Sequence, residues 1–361
     1  MILNKRILGI FLGVGLLLVG CGKPEEDAAP EENTSPPVQE EPEDETVNEE
    51  EEEEVEQFSF HYPLSGEGTN EEINARSVAV MVNNDIHARP QTGLPEADLV
   101  FEILTEGNIT RFLAIFQSEY PVEVGPVRSA RDYFMEIAKG YNSLYIAHGF
   151  SPEAKVMSDT DYVSNLNGMY YDGTLFYRSS DRQAPHNSYI TFENIKKGAE
   201  SKKYDMEILP PSLSFLTDTE EEVIAGDLAT KITVSYNSSL YDATYEYDSE
   251  TEKYSRHTNG TQTRDHKSDE AVMLDNIVIM EAPHVVTTNN KGRRDIDFST
   301  GGKAYLVQKG KWREIEWKNV NGQIVPMENG QPAKLAKGKT WINVIPISPG
   351  LSQAVTIQSE S

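Results

Sequence analysis

The hexapeptide Ser77-Val78-Ala79-Val80-Met81-Val82 decides the fold of the first half of the chain. After Ser77 it is a run of five apolar residues, three of them valine, and polar residues follow it from Asn83 onward. A run of this length and composition is typical of a strand that is buried on both faces. Three further runs share this character and predict a sheet of buried strands: Leu99–Leu104, Phe112–Phe116 and Leu144–Ala147.

Helical periodicity appears between these apolar runs. Residues Ala130–Lys139 predict a helix, because Phe134, Ile137 and Ala138 fall on one face and Ser129 precedes them as an N-cap. Pro152–Met157 and Phe192–Lys197 indicate two more helices. Strands mixed with helices predict an α+β or α/β layer domain built on a mixed sheet.

The second half of the chain has a different pattern, in which apolar and polar residues alternate. Turn signals such as Asn259-Gly260 and Asn321-Gly322 separate several of the alternating segments, which predicts a β-rich domain. The predicted strands are Lys231–Tyr236, Ala243–Tyr247, Tyr254–His257, Val272–Met280, Ala304–Gln308, Trp312–Trp317 and Trp341–Ile345. Since Leu209-Pro210-Pro211 interrupts the first pattern, we place an N-terminal domain at residues 58–212 and a C-terminal domain at 213–361.

The beginning of the chain has the three regions of a secretory signal. Lys5 and Arg6 precede an apolar run, Ile7–Val19, which gives way to Gly20-Cys21. This run is shorter than the roughly 20 residues of a spanning helix, so an anchor helix or a buried segment is the weaker interpretation. We therefore predict a lipoprotein signal peptide at 1–20, lipid attachment at Cys21, and a chain tethered to the outer, extracytoplasmic face of the membrane. Cys21 is the chain's one cysteine, which excludes an internal disulfide and a cysteine-based metal site.

A strongly acidic segment follows the predicted lipidation site. Between Lys23 and Gln57 there are 17 acidic residues and one lysine, so this segment carries about −16 of the formal charge of −27. Because it has almost no large apolar side chains, we predict that residues 21–57 are a disordered tether. Self-repulsion between the glutamates favours an extended tether, and the acidic composition argues against nucleic-acid binding.

Arginine residues cluster near the ends of the predicted strands in the first half, where α/β folds place their sites. Gly125–Arg131 is the densest cluster, since Arg128 and Arg131 flank the expected helix start. Guanidinium groups at a helix N-terminus suit a phosphate or carboxylate ligand. The alternative is that these arginines pair with Asp98, Glu102 or Glu106 to hold the domain together. The candidate anion-binding residues are Arg89, Arg111, Arg128, Ser129, Arg131, Arg178 and Arg182.

Acid–base groups accompany these arginines. Glu102, Glu106, His148 and His186 are the candidate catalytic residues, because a carboxylate and an imidazole in one cleft supply general acid–base chemistry. The alternative is that the histidines are hydrogen-bonded structural residues. The sequence has no Gly-x-Ser-x-Gly, His-Glu-x-x-His or phosphate-loop motif, so it leaves open whether the protein is an enzyme. No histidine spacing indicates a metal, and we predict neither a metal site nor a cofactor.

Several motifs together resemble a known family. They are Ala88–Gln91, Gly93-Leu94, Ala97-Asp98, Thr110-Arg111, Gly125–Arg131 and Ala184–Asn187 in the first half, and Asp265, Asn276 and Gly338–Trp341 in the second. The chain resembles the YerB-type lipoproteins of Gram-positive bacteria from about residue 75 to its end. The resemblance implies lipid anchorage, a Gram-positive envelope and two domains of unknown function. It implies no catalytic mechanism.

Taken together, the anchor, the tether and the arginine clusters predict a membrane-anchored lipoprotein that binds a cell-wall component or a wall-synthesis protein. Arg128 and Arg131 form the centre of the predicted site. The alternative is a hydrolase or transferase acting on wall glycan or peptide with a Glu/His pair. The sequence leaves the ligand, the oligomeric state and the orientation of the two domains open.

Overall fold

A computed structural model describes residues 58–221, 223–287 and 292–359. The predicted signal peptide, the lipidation site Cys21 and the tether at 21–57 lie outside these residues. Within the described ranges, no helix has both the length and the apolar character needed to cross a bilayer.

Strands form most of the regular structure in the described part of the chain. In chain order they are β1 (Phe60–His61), β2 (Gly68–Thr69), β3 (Val78–Asn83), β4 (Leu99–Leu104), β5 (Thr110–Phe116), β6 (Glu123–Val124), β7 (Leu144–Ala147), β8 (Asn165–Asn167), β9 (Phe176–Arg178), β10 (Ser188–Thr191), β11 (Asp227–Leu228), β12 (Lys231–Val234), β13 (Ala243–Asp248), β14 (Lys253–Thr258), β15 (Thr261–Gln262), β16 (Met273–Leu274), β17 (Asn276–Ala282), β18 (His284–Val286), β19 (Arg294–Ile296), β20 (Gly302–Gln308), β21 (Lys311–Val320), β22 (Gln323–Glu328), β23 (Gln331–Pro332), β24 (Thr340–Pro346) and β25 (Val355–Gln358).

Helices are fewer than strands in the described part of the chain and lie mainly in the first half. They are α1 (Asp132–Gly140), α2 (Pro152–Asp159), α3 (Gly168–Tyr171), α4 (Phe192–Lys202), α5 (Asp218–Glu221) and α6 (Leu351–Ala354), with a 3₁₀ turn at Ile86–Ala88. The three helices expected from the sequence correspond to α1, α2 and α4. Helix α1 begins at Asp132 with Arg131 as its N-cap residue, so the prediction that Ser129 caps this helix is wrong. The Ser129 hydroxyl donates instead to the carbonyl oxygen of His148, at 3.3 Å.

The largest sheet contains 12 strands in the order β23-β22-β21-β20-β17-β24-β4-β5-β3-β7-β8, with β11 paired to β21. Strands β8, β7 and β3 are mutually parallel, as are β4, β24 and β17. Strand β5 is antiparallel to both β3 and β4, so those two strands run in the same direction. The sheet is therefore mixed, and the carboxyl ends of these six parallel strands meet at one edge.

The hexapeptide Ser77–Val82 supplies most of β3, which lies in the interior of this sheet. Val78, Val80 and Val82 join one hydrophobic cluster, which also contains Ile195 of α4. Ala79 and Met81 join a second cluster on the opposite face, together with Phe134 and Ile137 of α1. Alternate side chains of a strand point to opposite faces, and both faces are covered here. The expectation of a strand buried on two sides is confirmed.

The second half of the chain contributes to this large sheet and also forms a sheet of its own. Strands β15-β14-β13-β12-β25, with β16 paired to β14, make a six-stranded antiparallel sheet. Its residues Ile232, Tyr245 and Tyr254 join the same cluster as the valines of β3. Strand β24, from the end of the chain, pairs with β4 from the beginning. Strands from both sides of residue 212 thus share one sheet, while the division into two domains stays a prediction.

The architecture is α+β with mixed sheets, as the sequence predicts. One predicted strand, Val272–Met280, is interrupted at Asp275 and becomes β16 and β17. The carboxylate of Asp275 accepts hydrogen bonds from the backbone N–H of Lys339, at 2.8 Å, and from Lys253 Nζ, at 3.1 Å. This side chain therefore connects three segments at the point where the strand breaks.

Candidate functional site

Polar side chains collect at the sheet edge where the parallel strands end, which we call the strand-end edge. The 3₁₀ turn beginning at Ile86 follows β3, Glu106 follows β4, and His148 follows β7. Arg111 lies at the start of the antiparallel strand β5, so it belongs to the same edge. The fold thus brings together residues that are far apart in the sequence.

The segment Gly125–Arg131 crosses the strand-end edge between β3 and β7. The backbone N–H of Arg128 donates to the carbonyl oxygen of Met81 at 2.8 Å, and the N–H of His148 donates to the carbonyl oxygen of Arg128 at 3.0 Å. The N–H of Asn83 donates to the carbonyl oxygen of Pro126 at 2.8 Å. These bonds fix the backbone of Arg128 between the two strand ends.

Glu106 is the centre of an arginine cluster on this edge. Its carboxylate accepts hydrogen bonds from Arg111, at 2.9 Å, and from Arg131. The second guanidinium nitrogen of Arg111 donates to the carbonyl oxygen of Ser129 at 2.7 Å. Burial opposes ionisation of Glu106, but the two guanidinium groups outweigh it, so the pKa of Glu106 lies below its ordinary value. Burial and the neighbouring Arg131 lower the pKa of Arg111 to about 9.

Arg128 lies next to this cluster and differs from its neighbours. Its side chain is partly buried, yet it forms no hydrogen bond or ion pair with any side chain or backbone group in the described ranges. Burial lowers the pKa of Arg128, and the charge of Glu106 offsets part of this effect. The cluster also contains an unsatisfied donor, since the buried Nε of Arg131 has no hydrogen-bond partner among the described atoms. A partly exposed guanidinium group without a protein acceptor, as at Arg128, suits an anionic ligand.

His148 is held by two partners. Its Nδ1 lies 2.7 Å from Ser188 Oγ, and its Nε2 lies 2.9 Å from Arg178 Nη2. Because a guanidinium group can only donate, Nε2 is the acceptor and the ring proton is assigned to Nδ1. Burial and Arg178 lower the pKa of His148, which keeps the ring neutral. Arg178 in turn forms an ion pair with Asp172, at 2.9 Å.

His186 lies beside two residues that the sequence argument did not single out. Its Nδ1 is 3.8 Å from Asp85 Oδ1, and its ring centre is 5.5 Å from that of His87. The backbone N–H and the ring of His87 both approach Asp85 Oδ1, at 2.9 and 2.8 Å. Burial lowers the pKa of His186, and Asp85 offsets only part of that effect. The sequence did contain a signal for this group, because Asp85 and His87 directly follow a buried strand.

Two candidate arginines hold loops. Arg182 donates to the carbonyl oxygens of Ala88 and Pro90. Arg89 donates to the side-chain and backbone oxygens of Asn84, both at 2.9 Å, and to the carbonyl oxygen of Leu240 at 2.7 Å. Burial lowers the pKa of Arg89 to about 10. Both guanidinium groups are therefore occupied by oxygen atoms of the protein itself.

Glu102 lies in a closed network, which the side chain of Asn84 connects to the candidate Arg89. It is fully buried and accepts hydrogen bonds from Arg256 Nη2 at 2.8 Å, Trp341 Nε1 at 3.0 Å and Thr110 Oγ1 at 2.9 Å. Arg256, also fully buried, lies between the rings of Trp341 and Phe112, at 4.6 and 5.1 Å. This network joins strands from the two halves of the chain and has no open face.

The second-half residues that carry the family resemblance also connect segments. Asp265 accepts hydrogen bonds from the backbone N–H groups of Gly93, at 2.6 Å, and Lys267, at 2.6 Å. The Asn276 amide both donates to and accepts from the backbone of Ala336, at 2.8 Å in each case. Gly338 has a φ of +119°, and any side chain at this position would collide with the carboxylate of Asp275. These residues hold segments of the backbone together, which accounts for their place in the motif, and they do not gather into a second site.

Fold and site together define an α+β protein with a mixed sheet and an arginine- and histidine-bearing edge at the ends of its parallel strands. Family models match both parts of the chain: "Protein of unknown function (DUF3048) N-terminal domain" at residues 64–205, and the corresponding C-terminal domain at residues 232–342. The chain therefore belongs to the DUF3048 family, and its resemblance to the YerB-type proteins is confirmed.

Two comparisons support this assignment. The chain is 42% identical over 285 residues to the Bacillus subtilis (strain 168) protein named "Putative lipoprotein YerB", covering 79% of this chain and 86% of that protein. The crystal structure of the YerB protein from Bacillus subtilis superposes with a TM-score of 0.76 at 41% identity, covering 83% of this chain and 100% of that chain.

Proposed function

We propose that this protein is a membrane-anchored extracytoplasmic lipoprotein whose strand-end edge binds an anionic group of a cell-wall component or of a wall-synthesis protein. Lipid on Cys21 supplies the anchor, and the acidic tether at 21–57 carries the folded part away from the bilayer. Support for the anchor comes from the signal-like sequence before Cys21 and from the relative that is named a lipoprotein.

The observation that carries the binding proposal is the state of Arg128. Holding a long side chain partly buried costs desolvation and conformational entropy, and a hydrogen-bonded partner normally offsets that cost. Within the residues that the structure describes, Arg128 has no such partner, although its backbone is fixed by neighbouring strands. A phosphate or carboxylate group entering the edge would supply the missing acceptor.

Local charge supports an anionic ligand despite the acidic composition of the chain. Arg111, Arg128, Arg131 and Arg293 lie around Glu106, and Asp85 is a second carboxylate that acts on Arg128, so positive charge is in excess at this edge. The pKa of Arg111, at about 9, still leaves this residue charged at neutral pH. Potentials of this kind steer anions to a site from a distance of about one Debye length, roughly 8 Å at physiological salt.

The contacts of the acid–base candidates favour binding over the hydrolase or transferase alternative. Glu106 is held ionised between two arginines, which makes it a poor proton donor. His148 already has a partner on each ring nitrogen. Glu102 is fully buried with Arg256. Glu106 and His148 hold the edge together, and Glu102 holds the buried network beneath it. Ligand binding leaves these contacts in place, whereas acid–base catalysis would have to break them.

The test is co-sedimentation of the full chain, purified in detergent, with insoluble wall material. We expect binding to wild-type wall material and at least about tenfold weaker binding by Arg128→Ala. The matched control is Arg313→Ala, because Arg313 lies on β21 and pairs with Glu328 of β22. Strands β24, β17 and β20 separate β21 from β4. Walls from which the phosphate polymers have been removed distinguish the two kinds of ligand. Binding to them should be lost if the ligand is a phosphate and retained if it is a carboxylate.

Two results would contradict this proposal. Equal binding by wild type and Arg128→Ala would exclude the strand-end edge as the binding site. Soluble fragments released by wild-type protein and absent with His148→Ala would instead support the enzyme alternative. A protein partner would be revealed by cross-linking in cells that the Arg128→Ala substitution abolishes.

A further inference from the structure

We propose that Asp85, His87 and His186 form a binding site for a divalent transition-metal ion such as Zn²⁺. Each of the three side chains offers one ligand atom, and these atoms lie within 4.8 Å of one another. Imidazole nitrogen and carboxylate oxygen are the ligand types that Zn²⁺ takes from proteins outside cysteine sites. Neither the predicted wall binding nor the arginine cluster uses this group.

The distances in the cluster are close to those that coordination requires. With metal–ligand bonds of about 2.0–2.2 Å, two ligands of a tetrahedral ion lie about 3.4 Å apart. Asp85 Oδ1 lies 2.8 Å from His87 Nδ1 and 3.8 Å from His186 Nδ1. Side-chain movements of less than about 1 Å would therefore bring the atoms to coordinating positions. Three protein ligands leave a fourth position open for water or a ligand.

Local structure already places two of the three ligands. Asp85 is the N-cap of the 3₁₀ turn and accepts from the backbone N–H of His87, so its side-chain direction is set by the backbone. Asn83 connects the ligands, since its side-chain oxygen accepts from the backbone N–H of Asp85, at 3.0 Å, and its side-chain nitrogen lies 2.9 Å from His186 Nδ1. A metal ion on that nitrogen would replace this single hydrogen bond.

The third ligand is free to adapt. The side chain of His87 is 71% exposed, Asp85 is its one hydrogen-bond partner among the described residues, and its ring lies beside that of His186. Because little packing fixes its ring, this residue can rotate to complete a site that Asp85 and His186 begin. The mixture of fixed and mobile ligands means that the ion would order His87 when it binds.

Zn²⁺ titration of the full chain, after treatment with EDTA and in competition with a chromophoric chelator, tests the proposal. We expect one site per chain that binds Zn²⁺ tightly, in addition to weaker Zn²⁺ binding by the carboxylates of the acidic tether. Asp85→Asn and His186→Ala should each weaken the tight site by at least about tenfold. His87→Ala should do the same without risk to folding, since its side chain is mostly exposed.

The matched control is His266→Ala, because His266 also lies beside a carboxylate, with Nε2 3.9 Å from Asp181 Oδ2. We expect Zn²⁺ affinity to be unchanged in this variant. The absence of a tight site in the wild type, or the same affinity in His87→Ala as in the wild type, would overturn the proposal. So would an equal loss in His266→Ala. These outcomes are read from Zn²⁺ affinity and not from anion binding, so the two proposals can fail separately even though the charge of Arg128 acts on both Asp85 and His186.

Discussion

Two clusters of arginine and glutamate lie at and beneath the same sheet edge, and they differ in one respect. In the closed cluster, Glu102 and Arg256 are fully buried, and Trp341 and Thr110 complete the hydrogen bonds of the carboxylate. In the open cluster, Glu106 retains 22% side-chain exposure and meets more arginines than it can neutralise. Each cluster contains one buried arginine Nε without a hydrogen-bond partner among the described atoms, that of Arg256 in the closed cluster and that of Arg131 in the open one. The closed cluster has no room for a ligand, whereas the open one lies beside the partly exposed Arg128, whose guanidinium group has no acceptor in the described ranges.

Glutamate and arginine therefore have different roles in the two clusters: they stabilise the fold in the closed cluster and leave a guanidinium group available for a ligand beside the open one. A buried ion pair needs all its partners within the protein, because an uncompensated charge in the interior is costly. A recognition site needs donors that the protein leaves without acceptors. Arg256 has its carboxylate partner inside the protein, whereas the guanidinium group of Arg128 has no acceptor among the described residues. The predictions below separate the two clusters by what each substitution does to folding and to binding.

The largest effect is expected from breaking the closed cluster. Glu102→Ala removes the acceptor of Arg256 and leaves a fully buried guanidinium without its carboxylate. Breaking a buried pair in this way costs about 3–5 kcal/mol. Urea unfolding of the full chain should show a lower midpoint at unchanged slope. The double variant Glu102→Met with Arg256→Met should recover part of the lost free energy of unfolding. A loss below about 1 kcal/mol in Glu102→Ala would show that the buried network does not stabilise the fold.

A smaller loss is expected in the open cluster. Glu106→Gln keeps the shape of the side chain but removes the charge that Arg111 and Arg131 share. Since hydrogen bonds to charged groups contribute about 1.5–3 kcal/mol and this site is partly solvated, we expect a loss of about 1–2 kcal/mol in the free energy of unfolding. A loss as large as that of Glu102→Ala would remove the distinction between the clusters.

The same residue gives a pH prediction. The folded-state pKa of Glu106 lies below the ordinary value of 4.5, so its contribution to stability is complete above that pH. The contribution is lost as pH falls below 4.5 and through the folded-state pKa. Wild-type protein should therefore lose more stability than Glu106→Gln on acidification below pH 4.5, measured by urea unfolding at a series of pH values. If wild type and Glu106→Gln lost equal stability on acidification, Arg111 and Arg131 would not be the cause of the lowered pKa of Glu106.

The smallest effect on folding is expected at Arg128. Because its side chain has no polar partner within the described ranges, Arg128→Ala should change the free energy of unfolding by no more than about 0.5 kcal/mol. The measurement is thermal unfolding of the wild type, Arg128→Ala and the control Arg313→Ala under the same conditions. A loss above about 1.5 kcal/mol would indicate that this guanidinium group stabilises the fold.

The sequence predicted the sheet because buried strands and amphipathic helices are local patterns. β4 and β7 begin and end where their apolar runs do, and α4 begins at Phe192 as expected. The pairing of β24 with β4 could not be predicted, since it joins residues more than 200 positions apart and no local pattern encodes it. The helix start was wrong by two residues because Ser129 bonds across the edge to His148 and does not cap its own segment.

The candidate site was predicted in part for the same reason. Clusters at strand ends do meet at one edge, so Glu106, Arg111 and Arg131 come together as carboxylate and guanidinium groups. Partner choice is not local, so no local pattern distinguishes Glu102 from Glu106, which lies four positions further along the chain. Which of the two is buried depends on Arg256 and Trp341, which arrive from the second half.

The central claim is that Arg128 is the anion-binding group of the strand-end edge, and a phosphate titration tests it most directly. Inorganic phosphate would be added to the full chain at low ionic strength, with binding followed by isothermal calorimetry for wild type, Arg128→Ala and Arg313→Ala. We predict that Arg128→Ala binds at least about tenfold more weakly, or about 1.4 kcal/mol, while Arg313→Ala binds as the wild type does. Equal phosphate affinity in the wild type and Arg128→Ala would contradict the account.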